Sequence, residues 1–266
     1  LASFAVKKLY QKNRILQNRS IVAILLAAGE GVRMKSGLAK VLHQVSGRPM
    51  VQWVISAVRE AGVERIILVI GHRREMVRDA LRDEGVEFVV QATQRGTAHA
   101  VLQAEAILRD FSGTVLVLCG DVPLLRARTI KDLLELHHSS NAMATVLTAE
   151  LADPAGYGRI VRDSQGTVER IVEEKDATPQ ERRIREVNSG LFCFQATALL
   201  PALREVRADN QQGEYYLTDV ISIFRRDNRR VAALLCPHQE EILGVNSREQ
   251  LSFVEGIMKN RLKKRP

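Results

Sequence analysis

Two glycines, Gly29 and Gly31, close the apolar run Ile21 to Leu26, and two cations, Arg33 and Lys40, stand just downstream. This order of residue types suits a polyphosphate. Glycine lets the backbone approach a phosphate that any Cβ would obstruct, and Arg and Lys neutralise charge where a triphosphate carries most of it. A carboxylate, Asp121, follows a second apolar run, Thr114 to Leu118, and Gly120. Open α/β sheets collect ligands at the carboxyl ends of their strands, and a carboxylate there is a natural magnesium ligand for a triphosphate. Taken alone, Asp121 is equally accounted for as a turn or helix cap. Asn246 is an N-cap by position, and its amide oxygen becomes a second metal ligand only if the fold brings it to Asp121.

Further polar groups stand at predicted turns. Gln91 to Ala100 reads QATQRGTAHA and is expected to open a helix, with Gly96 and Thr97 at the turn and cap, where backbone N–H groups can meet a base edge or a phosphate. Gly156-Tyr157-Gly158-Arg159, Glu173-Glu174-Lys175-Asp176 and Asn188-Ser189-Gly190 offer amides and carboxylates suited to a sugar. Singly, each of these is better explained as an ordinary N-cap, a turn or a solvated charge run. His137 and His138 are adjacent rather than four apart and make a poor metal pair, and Cys119 reads as a small buried hydrophobe.

The elements that must hold these groups alternate. Strands are expected at 21–26, 65–70, 87–90 and 114–118, with helices at 50–61 and 73–82, which argues a parallel sheet covered by helices on both faces. From Ala144 the pattern changes to successive strands at 144–150, 159–163, 167–173 and 187–195, with a hairpin turn at Asp163-Ser-Gln-Gly166. This half is expected to extend the sheet with mixed strands and to form a lobe facing the glycines. A helix containing Tyr216, Val220, Ile223 and Phe224, a strand at 231–236 and a helix at 248–263 complete the chain. Residues 1 to 20 precede the first strand and contain at most a short amphipathic helix, around Leu9, Ile15 and Leu16.

At 266 residues, 45% hydrophobic and 26% charged, the chain can bury one large core with a lobe. Three dispersed cysteines suggest neither a zinc site nor a disulfide framework, and a reducing cytoplasm fits them best. No run approaches the roughly 20 apolar residues of a membrane span, and no targeting segment is expected. The formal charge of +8 is concentrated in the two tails, without interleaved aromatics, so neither a nucleic-acid nor a membrane partner is expected.

Spacing excludes two familiar phosphate loops. A dinucleotide fingerprint needs a third glycine where Met34 stands, and a Walker loop needs Gly-Lys-Ser/Thr. The pattern that fits is a strand, then Ala-Ala-Gly-x-Gly-x-Arg-Met, then Lys40. With LAAGEGVRM, KVLH, QRGTAHA, GDVPLL, GYGRI, VEEKDAT, NSG, QGEYYLTDV and GVNSR in order, the chain resembles the sugar nucleotidyltransferases. Within them it is most similar to the uridyltransferase domains of the bacterial bifunctional N-acetylglucosamine-1-phosphate uridyltransferase/glucosamine-1-phosphate acetyltransferases. The resemblance implies a Rossmann-like nucleotidyltransferase fold: a mostly parallel mixed sheet flanked by helices, with a small sugar-binding lobe and without the left-handed β-helix, whose hexapeptide repeats this chain lacks. It implies an N-terminal extension at 1–20, a nucleotidyltransferase domain at 21–247 and a C-terminal helix or linker at 248–266.

The resemblance also implies roles. Leu26, Ala27, Ala28 and Gly29 would contact the uridine nucleotide, Arg33 and Lys40 would act catalytically on the phosphates, and Gln91, Gly96 and Thr97 would read uracil. Gly120 would lie beside the ribose. Gly158, Glu173 and Asn188 would bind the N-acetylglucosamine part, and Asp121 and Asn246 would hold the Mg²⁺ cofactor, Asn246 also touching substrate. The implied reaction joins UTP and N-acetylglucosamine-1-phosphate into UDP-N-acetylglucosamine and pyrophosphate, for peptidoglycan and cell-wall precursors, in a cytoplasmic monomer without acetyltransfer. The alternatives are a sister enzyme with another sugar or base, and a non-catalytic nucleotide-sugar sensor. Two positions depart from the family pattern: Ala39 stands for the usual Pro before the lysine, and Cys119 for a frequent Tyr.

Overall fold

A computed structural model describes residues 20–263, so the expectations for residues 1–19 lie outside the described residues. β1 (Ile21–Ala27) leads through the glycine-rich loop to a small hairpin, β2 (Gln44–Val45) and β3 (Arg48–Pro49), then α1 (Met50–Glu60), β4 (Arg65–Ile70), α2 (Arg74–Ala80) and β5 (Glu87–Val90). Next come α3 (Thr97–Leu102), the one-turn α4 (Glu105–Leu108), β6 (Thr114–Cys119), α5 (Ala127–Ser140) and β7 (Ala144–Glu150). The second half comprises β8 (Arg159–Arg162), β9 (Val168–Val172), β10 (Glu186–Gln195), α6 (Ala196–Glu205), α7 (Asp219–Arg226), β11 (Val231–Leu235) and α8 (Arg248–Lys263).

Nine strands form one sheet in the order β11-β7-β10-β6-β1-β4-β5, with β8 and β9 attached beside β10. β1 pairs in parallel with both β4 and β6, and β10 runs antiparallel between β6 and β7. The sheet is therefore mixed and mostly parallel, as the sequence implied. β1 lies inside the sheet between β6 and β4, and its residues Val22 to Leu25 are fully buried. Alternation along it divides the core: Ala23 and Leu25 face α1 and α5, while Val22 and Ile24 face α3, α6 and α7.

A third apolar cluster positions the site. Met34 from the glycine loop, Met50, Leu124 just after Asp121, Val245 just before Asn246, and Val254 and Met258 of α8 pack together. Arg248 donates to the carbonyls of Met34 and Lys35 at 3.1 Å each, and Arg261 to that of Leu124 at 2.6 Å. The last helix thus clamps the glycine loop against the end of β6.

Several boundaries differ from expectation. The helix expected to open across Gln91–Ala100 starts only at Thr97, because Gly96 adopts φ 105, ψ 176, a non-helical conformation reserved for glycine. The 73–82 helix shortens to Arg74–Ala80, preceded by Arg73 at φ 53. The turn at Asp163–Gly166 forms as expected, with the Gly166 N–H donating to Asp163 O at 2.9 Å and Gly166 at φ 75.

Candidate active site

β1 lies at the point where the strand order reverses, with β4 and then β5 on one side and β6 on the other. The crevice beyond such a switch point is where open α/β sheets bind ligands. Here the loop after β1 and the Cys119-Gly120-Asp121 end of β6 meet: the Gly120 N–H donates to Leu26 O at 2.9 Å. A cleft of about 500 Å³ opens at this point. It brings together Leu26, Ala27, Ala28, Gly29, Lys40, Gln91, Gly96, Thr97 and Asp121 of the expected site. Gln94 and Glu214 line it too, and the sequence reading had assigned them no role. A second cleft of about 480 Å³, between α1 and α8, shares no residue with the first.

Lys40 is the hub of the first cleft. Its Nζ lies 2.5 Å from Asp121 Oδ2 and 3.1 Å from Asn246 Oδ1. Asp121 and Asn246, far apart in sequence, therefore present two oxygens to one cation. The two glycines turn out to do different things. A Cβ on Gly31, at φ +65, would lie 2.7 Å from Lys40 Cβ and 3.2 Å from its Cγ, so the missing side chain makes room for the lysine stem. Gly29 has nothing within 4 Å of an added Cβ and is exposed, open to a ligand. Arg33 sits in the short 3-10 turn Val32–Met34, exposed and making no hydrogen bond or ion pair among the described residues.

Asn246 is placed by two connections. The Val245 N–H donates to Asp121 O at 3.0 Å. Upstream, the fully buried Glu241 accepts from the Arg126 N–H at 3.0 Å and the Thr129 hydroxyl at 2.6 Å, with Arg126 Nε 3.3 Å away. Glu241 thereby caps the N-terminus of α5 from a remote segment, where an anion is favoured by the helix dipole. Both ends of the loop after Asp121 are tied to the segment carrying Asn246.

At the other end of the cleft, buried Gln91 directs Nε2 to Gly96 O at 3.1 Å and lies 3.0 Å from His99 Nδ1. Burial, then the nearby Arg95, lowers the His99 pKa and favours the neutral ring. Thr97 departs from its expected capping role: its hydroxyl accepts the Leu217 N–H at 2.9 Å. Gly96 is required by proximity, since a Cβ there would lie 2.5 Å from Tyr215 O. The tyrosine segment is thus docked against the turn.

The expected sugar residues form their own cluster. The Asn188 N–H donates to Gly158 O at 2.8 Å, and a Cβ on Gly158 would lie 3.3 Å from Glu173 Oε2. Glu173 also accepts from the Thr218 hydroxyl at 3.0 Å. Burial raises the Glu173 pKa, reinforced by Asp219, Asp176 and Glu214 and opposed by the Thr218 hydrogen bond. Glu174, its neighbour, is structural, bonded to the buried Arg159 at 2.6 Å. Asn188-Ser189-Gly190 shapes an irregularity in β10: Asn188 Oδ1 accepts the Gly190 N–H at 3.0 Å and the Ser189 hydroxyl donates to Leu147 O at 2.7 Å. Such bulges recur beside active sites. The cluster meets the cleft where a Cβ on Gly190 would lie 3.2 Å from Cys119 Sγ. Tyr157 reaches the same region. Burial raises its phenol pKa, which the Gly244 N–H bonded to it opposes and Asp121 reinforces.

The two histidines are placed as expected, whereas Cys119, expected as a small buried hydrophobe, is only part-buried and lines the cleft. His137 and His138 are buried, 2.9 Å from Thr145 Oγ1 and Thr114 Oγ1 respectively. Burial, with Asp121 adding to it, pushes the Cys119 thiol up to about 12. A metal ion fits the Lys40 position on donor chemistry. Asp121 and Asn246 offer hard oxygens, the kind Mg²⁺ takes in small number while keeping water and phosphate oxygens for the rest. Among the described residues no group of three His, Cys, Asp or Glu could hold a metal, so further ligands would come from water or substrate. No helix of the described residues is long and apolar enough to cross a membrane.

A doubly wound sheet with a cleft of about 500 Å³ at its switch point, and two convergent oxygens beside a lysine, has the layout of a nucleotide-binding α/β protein. Residues 22–238 match the nucleotidyl transferase family model, and the chain belongs to that family. It is 53% identical over 240 residues to the bifunctional protein GlmU of Halalkalibacterium halodurans, covering 90% of this chain and 52% of that protein. It is 51% identical over 243 residues to the bifunctional protein GlmU of Bacillus cereus strain AH187, covering 91% and 53%. The chain thus spans about half the length of these relatives. A UDP-glucose pyrophosphorylase crystallised with UDP-glucose superposes with a TM-score of 0.71 at 17% identity, over 90% of this chain and 98% of that one, a likeness of fold. The family and fold implied by the motifs are borne out.

Proposed function

We propose that this chain is a Mg²⁺-dependent uridylyltransferase that joins UTP to N-acetylglucosamine-1-phosphate, giving UDP-N-acetylglucosamine and pyrophosphate for cell-wall precursors. The observation that carries the proposal is the convergence of Asp121 and Asn246 on one cation position beside the glycine loop. The identity to GlmU relatives supports the choice of base and sugar.

On this reading Gly29 and its neighbours cradle the triphosphate, Gln91, Gly96 and Thr97 hold the base, and Glu173, Asn188 and Gly158 orient the sugar. The phosphate monoester of the acceptor is already a competent nucleophile at neutral pH. Its oxygen bonds to the α-phosphorus of UTP as the bond to the bridging oxygen of pyrophosphate breaks. No side-chain base is needed, which agrees with the inert Cys119 and the structural histidines. Lys40 and Arg33 would neutralise charge developing on the phosphates, and positioning supplies much of the acceleration. Mg²⁺ held by Asp121 and Asn246 would polarise phosphoryl oxygens.

A panel of nucleoside triphosphates and sugar-1-phosphates, assayed by pyrophosphate release with Mg²⁺, tests the reading. Turnover is expected to be highest for UTP with N-acetylglucosamine-1-phosphate. A higher rate with another pair would make the chain a sister enzyme, and no release with any pair would make it a nucleotide-sugar sensor.

A further inference from the structure

Lys40 stands where the proposed metal would bind. Its ammonium lies 2.5 Å from Asp121 Oδ2 and 3.1 Å from Asn246 Oδ1, and the Lys40 and Asp121 side chains are only 17% and 12% exposed. The lysine stem is fixed close to its root by Gly31, against whose bare Cα lie Cβ, Cγ and Cδ of Lys40. Only the outer end of the side chain is free to swing. The backbone on either side of the two oxygens is held by the Asp121–Val245 hydrogen bond and by Glu241.

A divalent cation bound to both oxygens and an ammonium bonded to both cannot coexist, because the two positive charges would lie within one ionic contact of each other in a partly dehydrated site. We infer that Lys40 is an internal counter-ion that reserves the Asp121–Asn246 pair and yields it to a divalent metal only when nucleotide phosphates draw its ammonium away. The inference rests on the proposed metal reading and adds to it an order of events. In the ligand-free enzyme the lysine neutralises Asp121 and keeps the two oxygens aligned, so the pair stays preorganised yet binds divalent metal weakly. An incoming polyphosphate offers the ammonium new acceptors within reach of the same stem, and metal affinity rises as the lysine turns to them. By linkage, metal then strengthens phosphate binding by the same factor. When pyrophosphate departs, the ammonium returns to Asp121 and disfavours retention of the metal. Lys40 would therefore serve twice, as a phosphate ligand during transfer and as a place-holder between turnovers.

The test is Mn²⁺ binding to the nucleotide-free protein, read from the electron paramagnetic resonance signal of free Mn²⁺. Wild type, Lys40→Met, Asp121→Asn and the Lys40→Met/Asp121→Asn double variant are compared. Lys40→Met keeps an aliphatic stem against Gly31, and Lys40→Gln serves as a second form should the first fold poorly. The expected result is one Mn²⁺ bound at least tenfold more tightly by the lysine variant than by wild type, with that gain abolished in the double variant. If wild type binds Mn²⁺ as tightly as Lys40→Met and both lose it with Asp121→Asn, the counter-ion role is overturned while the metal pair stands. If the lysine variant binds Mn²⁺ no better than the double variant, the metal pair itself fails, and the counter-ion role with it.

Discussion

The division of labour between the two loop glycines can be tested by giving each a single methyl group. Gly31→Ala places a Cβ 2.7 Å from Lys40 Cβ, an atom fixed to the backbone of the 3-10 turn Lys40–Leu42, whose Val41 and Leu42 are buried. The contact cannot be relieved by a rotamer change, so the loop or the turn must move. The left-handed φ of +65 adds about 1–2 kcal/mol for a residue with a Cβ. With the displaced contact, a loss of about 2–3 kcal/mol is expected, within the range of overpacking and strain. At roughly 2–4 °C per kcal/mol in a domain of this size, the midpoint should fall by about 4–12 °C. A shift of the lysine by even ~1 Å should also lower kcat by about a hundredfold. Gly29→Ala has nothing to collide with and no positive φ, so its stability should stay within about 0.5 kcal/mol of wild type. Its defect should appear in kcat/KM for the nucleotide. Urea denaturation and pyrophosphate release on both variants decide the matter. Gly31→Ala with wild-type stability and turnover, or two variants with the same profile, would refute the assignment of Gly31 to the lysine and Gly29 to the ligand.

Three further outcomes are expected. Ala39 is buried with φ −60, ψ 138, a conformation proline adopts without strain, so Ala39→Pro should raise stability by about 0.4–1 kcal/mol in urea melts with the fold unchanged. Glu241→Gln removes the charge that caps α5 and should cost about 1–3 kcal/mol by chemical denaturation. It should also reduce kcat, because the segment bearing Asn246 loses its anchor. Burial and then Asp176 raise the Asp219 carboxyl from 3.8 to about 6. The folded state therefore binds that proton more tightly than the unfolded chain, and the stability this confers is present below about 4 and lost as pH rises through about 6. The stability difference between wild type and Asp219→Asn should therefore shift against wild type as pH rises across this window, and a difference that stays constant with pH would contradict the assignment.

Much of the site was readable because its chemistry is concentrated where strands end. The apolar runs before Gly29 and before Asp121 mark adjacent parallel strands, and that adjacency alone brings the glycine loop to the carboxylate. The partner of Asp121 was visible only as a conditional, since Asn246 has the sequence signature of any N-cap. What was not readable depends on contacts between remote segments. Gly31 looks like a phosphate glycine, and nothing in its neighbourhood reveals that Lys40 crosses it. Thr97 looks like a cap until the backbone at Leu217 claims its hydroxyl. Glu241 lies in a polar stretch, and its complete burial follows from a helix terminus more than a hundred residues upstream. The Asn188-Ser189-Gly190 signal was read as sugar contacts, whereas part of its polarity sustains the bulge in β10. Helix α6 was not anticipated, since Pro201 in its interior is a sequence signal against a helix.

The central claim is that Asp121 helps hold a cation that drives nucleotidyl transfer. The most direct measurement is the rate of Mg²⁺-dependent pyrophosphate release from UTP and N-acetylglucosamine-1-phosphate by Asp121→Asn, an isosteric change, beside its urea midpoint. The account predicts a loss of about a hundredfold or more in kcat, with a folded protein. Wild-type turnover in that variant would contradict it.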